Sequence, residues 1–385
     1  MTKAHLCIAL QALAVASAFS QNGPYCKSAG WSNFSGTNYT YNRKLVGTYF
    51  FPWYDSLSSY ADNQTGLQIR PQIDRVNPEG KVFDYLTVHP DTCLTYQRLA
   101  DNAGPNEYRR RIPATYATPA TGWQSSFGNP FFSNADPNWY AKDVNRMANV
   151  GIDVAWTIFR DYNQGPSIAA KLGSGLSYLS SIGGNYPLVA PFDDTPSLPN
   201  GDMASADRFA DMVIAFYSNI HPRYWFRING KPAVGIYSER ALGNNLSSVV
   251  KEIQTQVKKQ LGTEIVFYGT PSHSARGIPV ELNYSWGAAA VSTGYRTVPG
   301  VSHSVVEIGP GYDFLGANGN PRRKGNTYNT NRYNSAWDYA IRSGKNMVMI
   351  ETWNEYIEAT SIAPTKEYGR AFIDLTKTKS AEFKR

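Results

Sequence analysis

Glu355 and Glu358 stand three residues apart in the run Glu351-Thr352-Trp353-Asn354-Glu355-Tyr356-Ile357-Glu358-Ala359-Thr360, the densest gathering of carboxylates, rings and amides in the chain. Two carboxyl groups facing one bond can divide acid and base work between them, which is what hydrolysis of a glycosidic bond requires. A fully extended spacer puts the two Cα atoms at most about 10–11 Å apart, and a bend shortens that. In a straight strand, residues i and i+3 face opposite sides, so the pair converges only if the chain turns between them. The carboxyl separation then falls in either the ~5 Å or the ~6.5–9.5 Å range, and spacing alone leaves the stereochemical outcome open. The plain reading of such a pair is a solvated acidic loop, so its position in a fold has to decide.

The elements that must position it are parallel strands alternating with helices. Short apolar runs at 46–51, 152–159, 188–192, 233–237, 265–268, 288–292, 305–308 and 347–352 read as strands. Amphipathic stretches at 139–149, 175–182, 206–217, 249–261, 333–341 and 368–376 read as helices. The strands are continuous apolar runs, as expected where both faces are covered. Eight of them favour an α/β fold of the (β/α)8 TIM-barrel type, a single domain over 45–385 with a long polar insertion after the first strand. The first strand runs into Phe51-Pro52-Trp53-Tyr54-Asp55 rather than a glycine fingerprint, and no P-loop or Gly-x-Ser-x-Gly elbow follows elsewhere. Nucleotide cofactors and serine-hydrolase chemistry are therefore excluded, and no cofactor is expected.

In such a barrel the site lies at the C-terminal ends of the strands. Residues at those ends are Trp53 and Tyr54, Asp161, the Asp193-Asp194 pair, Tyr237, Trp286, Tyr295, Tyr312 and Asp313, then Glu351, Trp353, Asn354, Glu355, Tyr356 and Glu358. The inventory is carboxylates and rings. Carboxylates suit acid–base work on a glycan, and ring faces suit the apolar C–H patches of sugars. Each has a plainer alternative. Asp161, Asp193 and Asp194 either hold hydroxyls or cap the helices that follow. Asp313 follows a Pro-Gly turn, and buried rings are usually core. Glu351 is either a third site carboxylate or an outward-facing ion-pair partner.

Lys3, an apolar stretch to Ala18 and small residues around Ala16-Ser17-Ala18 read as a signal peptide over 1–20, followed by an N-terminal extension over 21–44. No later run reaches the ~18 apolar residues of a membrane span. A secreted, extracellular protein is expected, with a disulfide between Cys26 and Cys93 once Cys7 is removed with the signal. Two cysteines and five histidines give no metal-ligand spacing. Asn33, Asn38, Asn63, Asn245 and Asn283 begin Asn-x-Ser/Thr sequons, glycan sites if the source is eukaryotic. The charge balance of +7 is not concentrated: the basic runs Arg109-Arg110-Arg111 and Arg322-Arg323-Lys324 stand alone, without a nucleic-acid-binding signature. With 42% hydrophobic and only 17% charged residues, disorder is excluded. The expected partner is an oligosaccharide or polysaccharide, with no nucleic acid and no membrane span, acting on a monomer.

Trp353-Asn354-Glu355-Tyr356-Ile357-Glu358, followed by Thr360, Ile362 and Pro364, resembles the Trp/Phe-Asn-Glu-Trp-His-Glu-Gly-Thr-x-Ile-x-Pro motif of endo-α-mannosidase-like glycoside hydrolases, family 99 and its secreted relatives. Three further stretches match in the same order: Tyr49-Phe50-Phe51-Pro52-Trp53-Tyr54, Arg227 to Tyr237 with its Asn-Gly-Lys-Pro core, and Gly309-Pro310-Gly311-Tyr312-Asp313. Ile357 and Ala359 replace the family's histidine and glycine, and Glu351 replaces a small polar residue. The resemblance implies a retaining glycosidase on a (β/α)8 barrel. Glu355 would take the proton of the sugar 2-hydroxyl, which attacks the anomeric carbon to give an anhydro-sugar. Glu358 would be general acid and then base. Two other readings remain: a carbohydrate-binding or cell-surface protein on the same barrel with the chemistry lost, and a secreted interaction protein with an apolar patch at its mouth.

Overall fold

The structure, a computed structural model, describes residues 38–52, 137–159, 165–193, 203–237, 246–314, 323–324, 329–355, 358, 360–364 and 370–385. The expected signal peptide over 1–20, Cys26, Cys93 and the expected polar insertion after the first strand lie outside these residues.

The first half of the chain gives β1 (Asn38–Tyr39), β2 (Leu45–Phe50), α1 (Pro137–Asn149), β3 (Val154–Phe159), α2 (Gly165–Ser181), β4 (Leu188–Asp193) and α3 (Met203–Asn219). Next come β5 (Arg227–Ile228), β6 (Lys231–Ile236), α4 (Leu246–Leu261), β7 (Val266–Gly269), α5 (Pro271–Ala275) and β8 (Val280–Asn283). The remainder forms β9 (Tyr295–Thr297), β10 (Val306–Ile308), β11 (Asp313–Phe314), β12 (Arg323–Lys324), α6 (Thr330–Arg342), β13 (Met347–Ile350) and α7 (Ala371–Phe383).

Strands β8, β7, β6, β4, β3, β2, β13 and β10 lie side by side in that order, every neighbouring pair parallel. Backbone bonds from Asn283 N to His303 O (2.8 Å) and from Val305 N to Asn283 O (2.9 Å) join β8 to the segment entering β10. The short strands β5 and β9 pair antiparallel with β6 and β10. The result is a curled, mostly parallel sheet compatible with a TIM-barrel-like α/β fold. Every residue of β2 and of β13 is buried, because helices cover one face and the concave side is filled with side chains.

The helices form where apolar residues recur on one side. In α4, Leu246, Val249, Val250, Ile253, Val257 and Leu261 are buried and define a single stripe. Lys258 and Lys259 sit in its last turn, where the dipole favours cations. Gly262, at φ +74°, ends it in the left-handed conformation that glycine adopts without a Cβ penalty.

Two sequence expectations need correction. The sixth strand is not 288–292 but β8: Ala288–Val291 is a turn, and Val280-Glu281-Leu282-Asn283 forms the strand instead. Glycosylation at Asn283 is also overturned, since that residue is a buried strand position whose amide donates to the His303 carbonyl at 3.4 Å.

Candidate active site

Side chains from five strands and the loops that follow them meet inside the concave sheet. Tyr49 of β2, Trp156 of β3, Phe192 of β4 and Tyr268 of β7 are fully buried and packed ring against ring, with Trp156 stacked on Tyr268 at 4.6 Å and Phe192 edge-on to Tyr49 at 5.0 Å. Glu307 of β10 enters this aromatic floor. Its Oε1 accepts from the Tyr49 hydroxyl at 2.5 Å and from the Tyr268 hydroxyl at 3.2 Å, and the two hydroxyls lie 2.8 Å apart. Above the floor, Trp286 meets Tyr49 edge-on (4.6 Å), overlaps Phe192 (6.1 Å) and meets Tyr237 at 5.3 Å. Tyr237 is 38% exposed and follows β6, so Trp286 and Tyr237 form a ring wall at the mouth.

The loop after β13 carries the sequence-predicted pair, and it does turn. Thr352 N donates to Thr360 O (2.8 Å), Thr360 N to Glu355 O (3.2 Å), and Ile362 N to Thr352 O (3.0 Å), so the chain leaves the strand at Thr352 and is back beside it at Thr360. The Thr352 hydroxyl accepts from Glu355 N at 2.9 Å, and the peptide before Thr352 is cis. Glu355 ends up 5% exposed and Glu358 half-buried in the turn. Asn354 fixes this loop to the first strand: its Oδ1 accepts from Phe51 N and its Nδ2 donates to Phe51 O, both at 2.8 Å.

Trp353 is not a sugar platform. It is fully buried, and its indole N–H donates to Asp143 of α1 at 3.0 Å. Burial pushes the Asp143 carboxyl up to about 7, against the opposing pull of the Arg146 charge and the indole bond. Asn354 likewise serves the loop through its two bonds to Phe51. Tyr295 opens β9, and one face of its ring is covered by Tyr339 of α6 at 3.6 Å. Asp193 ends β4 fully buried, and the next helix starts at Met203, so the helix-capping reading fails for it. Tyr312 is half-buried, and Asp313 pairs with Lys324 in the β11–β12 ribbon. Trp53, Tyr54, Asp161, Asp194 and Tyr356 lie outside the described residues.

Glu351 settles between its two readings in neither's favour. It is 2% exposed and inward-facing, which overturns the surface ion pair. Its oxygens are occupied by backbone: Oε1 accepts from Gly287 N at 2.7 Å and Oε2 from Ala289 N at 3.0 Å. Beside it, the Glu307 carboxyl is pushed well above the usual range by burial and then by the Glu351 charge. Sequence reasoning missed Glu307. The available signal was an ionisable residue inside the apolar strand Val305-Val306-Glu307-Ile308. Among the described residues, no three His, Cys, Asp or Glu side chains gather to hold a metal ion, and no helix is long and apolar enough to cross a membrane.

This geometry defines a chain with a GH99-like fold and a carboxylate-bearing mouth. Residues 131–380 match the model of a domain of unknown function, DUF5010, and the chain belongs to that family. Among solved structures it is similar to the GH99 endo-alpha-mannosidase from Bacteroides thetaiotaomicron, with TM-score 0.53 and 16% identity over 88% of this chain and 97% of that one. The same enzyme in complex with BIS-TRIS-propane gives 0.53 and 15% over 88% and 96%. No curated protein matches the chain. At such identity the likeness is one of fold.

Proposed function

We propose that this chain is a secreted glycoside hydrolase that cleaves a glycan or polysaccharide with Glu355 and Glu358. Its fold is taken as a closed (β/α)8 barrel over 45–385, with the Asn283–Ser304 bridge as the closure, behind a signal peptide and a short extension. The reading rests above all on the burial of Glu355 in a loop bent back on itself at the C-terminal end of the sheet, where a straight chain would have splayed the pair apart. The GH99-like fold and the motif resemblance support it.

In this mechanism Glu355 takes the 2-hydroxyl proton as O2 attacks the anomeric carbon, while Glu358 protonates the departing oxygen. Water then adds at the anomeric carbon, Glu358 removes its proton, and Glu355 returns the first proton to O2. Configuration is retained and no cofactor enters. The wall of Trp286 and Tyr237 offers ring faces to the sugar. The test is a glycan panel with product anomers read by NMR as they form. Turnover with retention is expected. Inversion overturns the anhydro-sugar route, and tight sugar binding without turnover overturns the enzyme in favour of a carbohydrate-binding protein.

A further inference from the structure

The run Gly287-Ala288-Ala289-Ala290-Val291 is small and apolar, yet it folds as a turn whose backbone is gripped from two sides by opposite charges. On one side the Gly287 and Ala289 N–H groups donate to Glu351. On the other, Arg332 Nη2 of α6 donates to the carbonyls of Ala288 (3.3 Å), Ala289 (2.8 Å) and Val291. The turn also rests on Gly309, where a Cβ would come within 2.6 Å of the Ala289 Cα. Trp286, the ring at the mouth, immediately precedes it, and its own carbonyl accepts from Arg296 at 2.7 Å.

Glu351 and Glu307 come from adjacent strands in a register that pairs Glu307 with Met349 and places Glu351 two residues further along, on the same face. Glu307 Oε1 takes both tyrosine hydroxyls, while its Oε2 is buried with no protein donor among the described residues. Two ionised carboxylates there would repel at low dielectric, whereas one shared proton makes a charge-assisted O–H···O⁻ bond. Both Glu351 oxygens already accept N–H bonds, and Arg332 lies across the turn. Burial and the Glu351 charge both raise the Glu307 carboxyl, so the proton of the pair is assigned to Glu307.

We propose that Glu351 is a positioning residue that holds the Gly287–Ala289 turn, and through it the Trp286 ring, over the mouth of the site. This rests on reading that mouth as the glycan site, and it makes the two buried glutamates unequal. Glu307→Gln replaces one neutral donor by another: the amide oxygen accepts from the tyrosines and the NH2 donates to Glu351. Glu351→Gln leaves one backbone N–H facing an NH2, and removes the charge that both Glu307 and Arg332 face.

The experiment is hydrogen–deuterium exchange on peptides covering 284–292, with those of α4 as internal control. Loss of a charged acceptor by buried donors is expected to speed exchange in Glu351→Gln on the order of 10- to 100-fold, while Glu307→Gln stays within about 3-fold of wild type. On a glycan that the protein turns over, Glu351→Gln is expected to raise KM more than it lowers kcat. Unchanged exchange in Glu351→Gln, or equal loosening in both variants, overturns the proposal. If Glu351→Gln fails to fold, Glu351→Asp keeps the charge but draws the carboxylate back by about one bond length. Faster exchange is expected there too, and unchanged exchange overturns the proposal equally. A protein that hydrolyses no glycan removes the proposed function and leaves the exchange result standing.

Discussion

The two glutamate pairs of this chain arise in different ways. Glu355 and Glu358 are neighbours in sequence, two residues lying between them, on a loop whose neck is closed by the backbone bonds of Thr352 and Thr360. Glu307 and Glu351 are close because β10 and β13 are parallel neighbours, whose register sets two residues from distant parts of the chain on one face. The inner pair is enclosed by tyrosine hydroxyls at Glu307 and backbone N–H groups at Glu351. The outer pair sits where the chain has left the sheet, with one member buried and the other half-exposed. Proximity of two carboxyls is thus not itself a function. What surrounds them decides whether they move protons or hold backbone.

The sharpest way to break that contrast is to neutralise the outer pair. Glu355→Gln and Glu358→Gln are each expected to lower kcat by about 10²–10⁴-fold, the worth of a positioned acid or base, with the melting temperature near wild type. Turnover near wild type in both would make the outer pair as structural as the inner one. Smaller and of another kind is Asn354→Ala, which removes two bonds to Phe51 and leaves a buried N–H and C=O without them. It should cost about 2–4 kcal/mol in urea unfolding, at about 1–2 kcal/mol for each buried group; a cost below 1 kcal/mol would show that the loop holds its place without the clamp. Gly309→Ala forces a methyl against Ala289 and should cost about 1–3 kcal/mol while raising exchange in the turn above it. Unaltered exchange there would mean that the turn does not depend on its seat.

Much of the scaffold was legible because buried parallel strands announce themselves as unbroken apolar runs. The runs at 46–51, 188–192 and 305–308 fall within a residue or so of β2, β4 and β10. The same rule misled at 288–292, where the turn packs against Gly309 and needs no side-chain polarity: its backbone is satisfied by Glu351 and Arg332. The true strand, β8, mixes Glu281 and Asn283 with Val280 and Leu282, so no unbroken apolar run marks it. At the site, the motif made Glu355 and Glu358 visible, but a motif cannot say that Trp353 faces Asp143 or that Asn354 faces Phe51. Those contacts join residues about 200 and 300 positions apart. Register and packing decide them, and neither is written in local spacing.

Asp143 separates two causes that the inner pair combines, burial and a neighbouring like charge. It is a buried acid facing an indole N–H and the Arg146 charge rather than another carboxylate, and desolvation alone carries it up to about 7. An unfolded aspartate titrates near 4. Between about pH 4 and 7 the folded chain therefore keeps a proton that the unfolded chain has lost. The stabilisation from this group is full below about pH 4 and is lost as pH rises through about 7. Asp143→Asn keeps an acceptor for the Trp353 indole but has nothing to titrate. Measured by urea unfolding, the variant should gain on wild type as pH goes from 5 to 8, and the other titrating groups, Glu307 among them, cancel in the difference. An unchanged gap between the two proteins at both pH values would mean that Asp143 is ionised throughout, held so by Arg146. Burial alone would then not suffice to keep a carboxyl neutral here, and the rise of the Glu307 carboxyl would have to be credited to the Glu351 charge beside it.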